Sequence, residues 1–315
     1  MTLAKADALD LFTPLERNWD EAEKISRPTL NYWQDAWFRL RKNVLAMFGL
    51  GLIILLILMA AIGPYLTPYT YESQVLTDKN KGPSLEHWFG TDDLGRDVFT
   101  RTWYGARISL TVGFVAAFLD LLIGVIYGSF SGFMAGQGKW GDRIDNILMR
   151  IVDILYGIPY LLVVILLLVV MEPGIIPIIV ALAATGWVGM ARLVRGQVLQ
   201  LRNQEFIMAA ELMGANFQRI LVRHLIPNIM GIIIVQLTLT IPSAIFAESF
   251  LSFLGLGVQA PMASWGSMAS DAVGTIFSGY WWRLFFPASM IAITMFAFNV
   301  FGDGLRDALD PRLRR

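Results

Sequence analysis

Six stretches of this 315-residue chain are apolar for long enough to cross a bilayer. Nothing else in the sequence limits its fold as strongly. A hydrocarbon core about 30 Å thick needs ~20 mostly apolar residues when crossed as a helix. The segments run roughly Val44–Leu66, Ile108–Ala135, Ile147–Met171, Ile175–Ala191, Ile229–Ala247 and Leu284–Gly302, the fourth being the shortest. The expected fold is an all-α polytopic membrane protein with six transmembrane helices. Leu56, inside the first span, is read as facing lipid. Gly157-Ile158-Pro159 interrupts the third span as a hinge or a fixed kink. The composition agrees: 56% of residues are hydrophobic and 16% charged, against about 25% charged in ordinary globular chains.

Lys and Arg placement orients the bundle, because cytoplasmic loops carry the excess. With both ends inside, nineteen Lys/Arg face the cytoplasm. Six face outward: Lys79, Lys81, Arg96, Arg101, Arg107 and Arg283. The chain then divides into a cytoplasmic arm (1–43), a six-span domain (44–302) and a cytoplasmic tail (303–315). The arm lacks the apolar core of a signal peptide. Two longer stretches, Thr67–Arg107 and Glu248–Arg283, lie outside.

Several function classes drop out. Net charge is zero, so no global basic field recruits nucleic acid. There is no cysteine, which removes disulfides and thiolate chemistry. The two histidines, His87 and His224, fall on opposite sides of this topology and form no metal site. No phosphate loop occurs, since Gly138-Lys139 is followed by Trp140 and lacks the earlier glycine. No zinc-protease or nucleophile-elbow motif occurs either. The chain is not an ATPase by the phosphate-loop route, and it binds no cofactor of its own.

The informative polar element is the insert between the fourth and fifth spans, EFIMAAELMGANFQRILVRHLIPN, within residues 203–227 and Asn228. Asn203 can cap a first helix, and Glu205 suits its first turn. Phe206, Ala209, Ala210 and Met213 make an apolar face. Gly214 permits the positive φ that separates two helices. Asn216 can cap the second, and Pro227 ends it or enters the first turn of the next. By geometry this is either a docking element for a protein in the water phase or an interfacial helix lying on headgroups.

The insert resembles the E-A-A-x-x-x-G-x(9)-I-x-L-P signature of permease subunits in binding-protein-dependent ABC importers. Ala209, Ala210, Gly214 and Pro227 match; Met208 replaces the signature Glu, and Glu205 and Glu211 lie three residues to either side. Four more stretches carry the resemblance: HWFGTDDLGRDVFTR (His87–Arg101), ARLVRGQVLQL (Ala191–Leu201), ESFLSFLGLG (Glu248–Gly257) with Ser264-Trp265-Gly266, and FNVFGDGLRDALDPRLR (Phe298–Arg314). From about Trp33 onward the chain is similar to the C-type permeases of the oligopeptide/dipeptide/nickel importer family, most of all the oligopeptide members.

The resemblance implies an ATP-driven importer of oligopeptides in the cytoplasmic membrane. Its partners would be a second homologous permease, two ABC ATPases that use ATP and Mg, and an extracytoplasmic peptide-binding protein. Glu205, Met208, Ala209, Ala210, Glu211, Gly214 and Pro227 would couple to the ATPases. Outside, Asp93, Arg96, Asp97, Trp103 and Trp265 are candidates for a gate or a binding-protein contact. Their other reading is an interfacial anchor, where aromatics collect. Asp120 and Asp153 fall in or near spans and are read as structural hydrogen-bonding groups, because an ATP-driven importer needs no proton relay. The rival function is a secondary transporter of peptides or ions, which calls for paired broken spans or clustered intramembrane charge.

Overall fold

The structure is a computed structural model that describes residues 31–172 and 174–310. Residues 1–30 of the expected arm and 311–315 of the expected tail lie outside the described residues. The architecture is all-α, and among the described residues there is no strand, only one isolated bridge between Thr91 and Asp97. The helices are α1 (Tyr32–Lys42), α2 (Val44–Ile62), α3 (Val98–Met134), α4 (Gly138–Gly157), α5 (Tyr160–Val170), α6 (Ile175–Thr185), α7 (Trp187–Arg202), α8 (Glu205–Leu212), α9 (Phe217–Ile220), α10 (Ile226–Phe253), α11 (Trp265–Val273) and α12 (Trp282–Leu309).

Among the described residues, five helical segments are long and apolar enough to cross a membrane: Val44–Tyr65, Val98–Met134, Ile175–Arg202, Phe217–Phe253 and Trp282–Leu309. The third expected span, Ile147–Met171, is not one helix. It is the pair α4 and α5, bent by 83°. The break falls at Ile158-Pro159: the ring of Pro159 removes a backbone donor, and the residue before a proline is pushed out of the α region. Ile158 accordingly sits at φ −83° and ψ 122°. The 11 residues of α5 rise only about 16 Å, too short to cross alone. Hydropathy sees one apolar run and cannot see this corner.

α2 shows how the bundle meets lipid. It is apolar all round, yet only Ala46, Gly49, Ile53, Leu56 and Ala60 are buried. Their alternating three- and four-residue spacing draws one stripe along the helix, and that stripe packs on α3 and α12. Val44, Leu45, Leu55 and Leu58 remain exposed, which only a lipid environment makes tolerable. Leu56 therefore belongs to the core, contrary to the expectation that it faces lipid; the stripe's register, not hydrophobicity, decides the face.

The centre of the molecule is α3 against α7. Gly124, Gly128 and Gly132 stand four apart on α3 and form a flat ridge. A Cβ on Gly124 would lie 2.5 Å from the Met190 side chain, and one on Gly132 would lie 2.9 Å from the Arg195 carbonyl oxygen. A Cβ on Gly128 would overlap the Ala191 carbonyl. Small residues at this spacing let two backbones approach closely in a membrane, where dispersion replaces the hydrophobic effect as the driving force.

Candidate functional site

The insert is a helix–turn–helix closed by one glycine. Gly214 adopts φ +79°. Its N–H donates to Glu211 O at 2.9 Å, and the Ala215 N–H donates to Ala210 O at 3.0 Å. These two bonds satisfy the last carbonyls of α8 in the manner of a helix that ends on a left-handed residue. Asn216 then starts α9, its side chain accepting from the Arg219 N–H at 3.0 Å. At the other end Asn203 does not cap α8. It terminates α7, and Gln204 takes the N-cap position without a side-chain bond.

The buried face of α8 differs from the expected set. Ile207 and Ala210 are buried, while Phe206, Met208, Ala209 and Met213 are exposed. A helix of two turns has room for one contact stripe. Ile207 takes it, together with Ile220 and Leu225 from the next elements, against Val194 and Val198 of α7. The ring of Phe217 packs on Phe133 at 4.6 Å, which ties the insert to the C-terminal end of α3. Pro227 does not end a helix. Leu221–Leu225 forms a π-helical turn, and helix continues through Pro227 to Phe253. The wider turn admits a ring that would clash with the i−4 carbonyl in α register.

What remains outward is apolar and polar surface without a partner among the described residues. Leu212 is 89% exposed and Met213 82%. Glu205 is exposed. Glu211 has Oε1 shielded with no hydrogen-bond partner among the described residues. Gly214 has open space where a side chain would stand, so its own chain demands the glycine for φ alone.

The outer cluster is built mostly inward. Asp97 caps α3 by accepting from the Thr100 N–H at 2.8 Å, and also meets His87 Nδ1 at 3.0 Å. Arg96 donates from Nε to Asp92 at 2.6 Å. The indole of Trp265 donates to Thr102 O at 2.9 Å. Arg96, Asp97, Trp103 and Trp265 are all buried; Arg96 and Asp97 bond within the outer segment, and Trp265 ties α11 to α3. Asp93 is the half-exposed member of the five, paired with Arg283 at 3.0 Å. Nearby, the Lys81 hydrogen bond holds the Asp78 carboxyl below its usual range. Burial raises the Asp271 carboxyl, opposed by Arg101 and Arg96.

Three intramembrane or near-membrane acids resolve differently. Asp153 pairs with Arg192 at 2.6 Å. Asp120, expected to make a structural hydrogen bond, has none at Oδ1 among the described residues. Glu248, which sequence reasoning passed over, is fully buried and accepts from Ser109 at 2.8 Å and Ser252 at 2.7 Å. Its signal was present: a carboxylate followed by serines one and four residues on. Also missed was Asp145, which bonds Ser131 on α3 and Arg195 on α7.

Residues 124–315 match the family described as binding-protein-dependent transport system inner membrane component. Residues 31–83 match the N-terminal TM domain of oligopeptide transport permease C. The chain is 64% identical over 295 residues to the dipeptide transport system permease protein DppC of Bacillus subtilis, covering 94% of this chain and 90% of the relative. It is 57% identical to the oligopeptide transport system permease protein OppC of the same organism, covering 97% and 98%. To OppC of Escherichia coli K12 it is 41% identical, covering 93% and 95%. Among solved structures, an inward-facing MetNI methionine ABC transporter chain superposes with a TM-score of 0.54 at 19% identity, covering 67% of this chain and 96% of that one; this likeness is one of fold.

Proposed function

Because this chain belongs to the family of binding-protein-dependent transport inner membrane components, we propose that it is the permease subunit of an ATP-driven peptide importer. The family's members are translocation subunits, and ATP hydrolysis belongs to a separate subunit. The chain would sit in the cytoplasmic membrane with both termini and the insert inside. It would pair with a second homologous permease, two ATPases and an extracytoplasmic peptide-binding protein. Relatives named for dipeptides and for oligopeptides match over nearly the whole chain, which supports oligopeptides, dipeptides included, as the substrate.

One observation carries the mechanism. The insert turns Leu212 and Met213 outward while Ile207, Ile220 and Leu225 fasten it to α3 and α7. An exposed apolar edge on a firmly held element supports docking, and an interfacial helix would need no such fastening. ATP binding would draw two ATPases together, the inserts would follow, and the bundles would open outward; hydrolysis would reset them. Asp93 is the residue of the outer cluster best placed to meet the binding protein, with Arg96, Asp97, Trp103 and Trp265 supporting it from within. The secondary-transporter alternative has one bent helix pair among the described residues in its favour, where that class uses matched broken helices.

The test is reconstitution. The purified chain alone should show no ATPase activity. With its partners in proteoliposomes, it should show ATPase activity stimulated by loaded binding protein, and ATP-dependent peptide uptake. Uptake by the lone subunit on a proton gradient would overturn the proposal.

A further inference from the structure

Asp120 lies on α3 about midway through the expected second span, and it is 5% exposed. Its Oδ1 is shielded from solvent and has no hydrogen-bond partner among the described residues. An unpaired carboxylate is costly inside a membrane, and such groups face a bundle interior or a water-filled cavity. Asp120 faces the bundle interior, at the edge of a cleft. The cleft, of about 380 Å³, lies between α3, α5, α6 and α10 and is also lined by Tyr160, Thr185, Gln236, Thr240 and Ser243.

The wall of this cleft has a consistent chemistry. Gln236, Thr240 and Ser243 recur at four- and three-residue spacing, so they share one face of α10. Thr240 and Ser243 donate their hydroxyl protons to the carbonyls of Gln236 and Leu239 in their own helix, at 2.9 and 3.0 Å. Their oxygen lone pairs are left as acceptors. The side-chain amide of Gln236 makes no hydrogen bond among the described residues and can turn its oxygen to the cleft. No Lys or Arg lines the cleft. A carboxylate on a largely apolar cleft, with acceptor oxygens along the α10 wall and no Lys or Arg in the lining, is complementary to a ligand that brings positive charge and N–H donors.

We infer that this cleft is a waypoint in the translocation pathway that receives the ammonium group of the peptide in transit, with Asp120 as its counter-charge. The inference rests on the peptide-importer reading above. Every linear unmodified peptide carries an α-ammonium whatever its side chains, and it is the cationic one of its two invariant ends. A pathway that reads it handles many sequences with one site. The volume suits the leading end of a peptide, within the roughly 300–1,000 Å³ of ordinary ligand sites. Contact is brief by design: the flanking groups are neutral, so one charge pair holds the peptide and no cluster traps it.

The experiment uses the whole complex in proteoliposomes with its binding protein. Two tetrapeptides with uncharged side chains are compared, both delivered by the binding protein, one with a free amine and one N-acetylated. The readout is the ratio of their uptake rates. Because the binding protein is the same throughout, its own preference cancels between wild type and variant. Asp120→Asn keeps the side-chain shape and should lower the ratio about tenfold, the effect of ~1.4 kcal/mol in a desolvated charge contact. Gln236→Leu, on the open wall of the cleft, should lower it in the same direction by a smaller factor. Equal losses for both peptides would assign Asp120 a structural role and overturn the inference, as would an unchanged ratio in both variants. A wild-type complex that imports neither peptide would instead remove the peptide-importer proposal, and this inference with it.

Discussion

Arg195 of α7 grips Asp145 of α4 through two parallel bonds, Nε to Oδ1 at 2.7 Å and Nη2 to Oδ2 at 2.6 Å. Ser131 of α3 donates to the same carboxylate at 2.5 Å. Three helices thus meet at one acid. Asp145→Ala should destabilise the purified permease by about 3 kcal/mol. That is the low end for breaking a buried pair, because Arg195 is partly exposed. Arg195→Lys keeps the charge but loses the two-pronged geometry and should cost roughly half as much. Thermal unfolding in detergent checks both. If the Asp145→Ala, Arg195→Ala double variant loses as much as the two singles added together, the pair is not coupled.

Gly214→Val should leave the protein inserted and abundant while weakening its ATPases' hold. A side chain at φ +79° costs on the order of 1 kcal/mol or more, and the surrounding space is open in the chain alone. A matched control is Leu55→Phe, at an exposed position of α2. Co-purification of the ATPases at equal expression is the measurement. Full association and uptake by Gly214→Val would return the insert to the interfacial-helix reading.

Gly128→Ala and Gly196→Ala should have opposite effects, although both replace a helical glycine. At Gly128 the new methyl would overlap the Ala191 carbonyl, whereas nothing lies within 4 Å of it at Gly196. The first should cost about 1–3 kcal/mol by forcing α3 from α7. The second should gain a few tenths of a kcal/mol, up to ~1, from helix propensity. Melting temperatures of the two variants in one detergent decide the matter; equal shifts would mean that the helices are not in close contact there.

Single cysteines can map the topology in this cysteine-free chain. Leu85, 99% exposed, and Gln259 should react with an impermeant reagent added to intact cells, and Asn203 should not. Leu85 is preferred to Asn80, which is half-buried at φ +54° and bonded to Arg283. Labelling of Asn203 from outside would invert the orientation.

The sequence showed some features directly. Long apolar runs locate spans because lipid leaves the backbone few options, and Gly214 marks a left-handed turn because few other residues tolerate one. Asn216 acts as a cap as its chemistry suggests. The failures share a physical cause: each depended on a neighbour distant in sequence. Whether Leu56 or Leu55 meets lipid is set by the rotation of α2 against α12. Ile207 displaced Phe206 from the core because α7 offered its contact there. Asp145 reads as an ordinary charge on an amphipathic helix until Arg195, fifty residues on, is brought to it. The 83° corner at Pro159 was announced by the proline but not its angle.

The length of α3 has a further consequence. Its 37 residues extend about 55 Å, well beyond a hydrocarbon core of ~30 Å. Its first turn is locked among the outer charges through Asp97 and Arg101, and its last holds Phe133 against the insert. The two compartments are therefore joined by a single uninterrupted rod, and the rotational phase of one end fixes that of the other. Inserting one residue in the middle of α3 would turn its ends by ~100° relative to each other. Each end would keep its local sequence, yet the outer cluster and the insert would no longer face their partners at the same time.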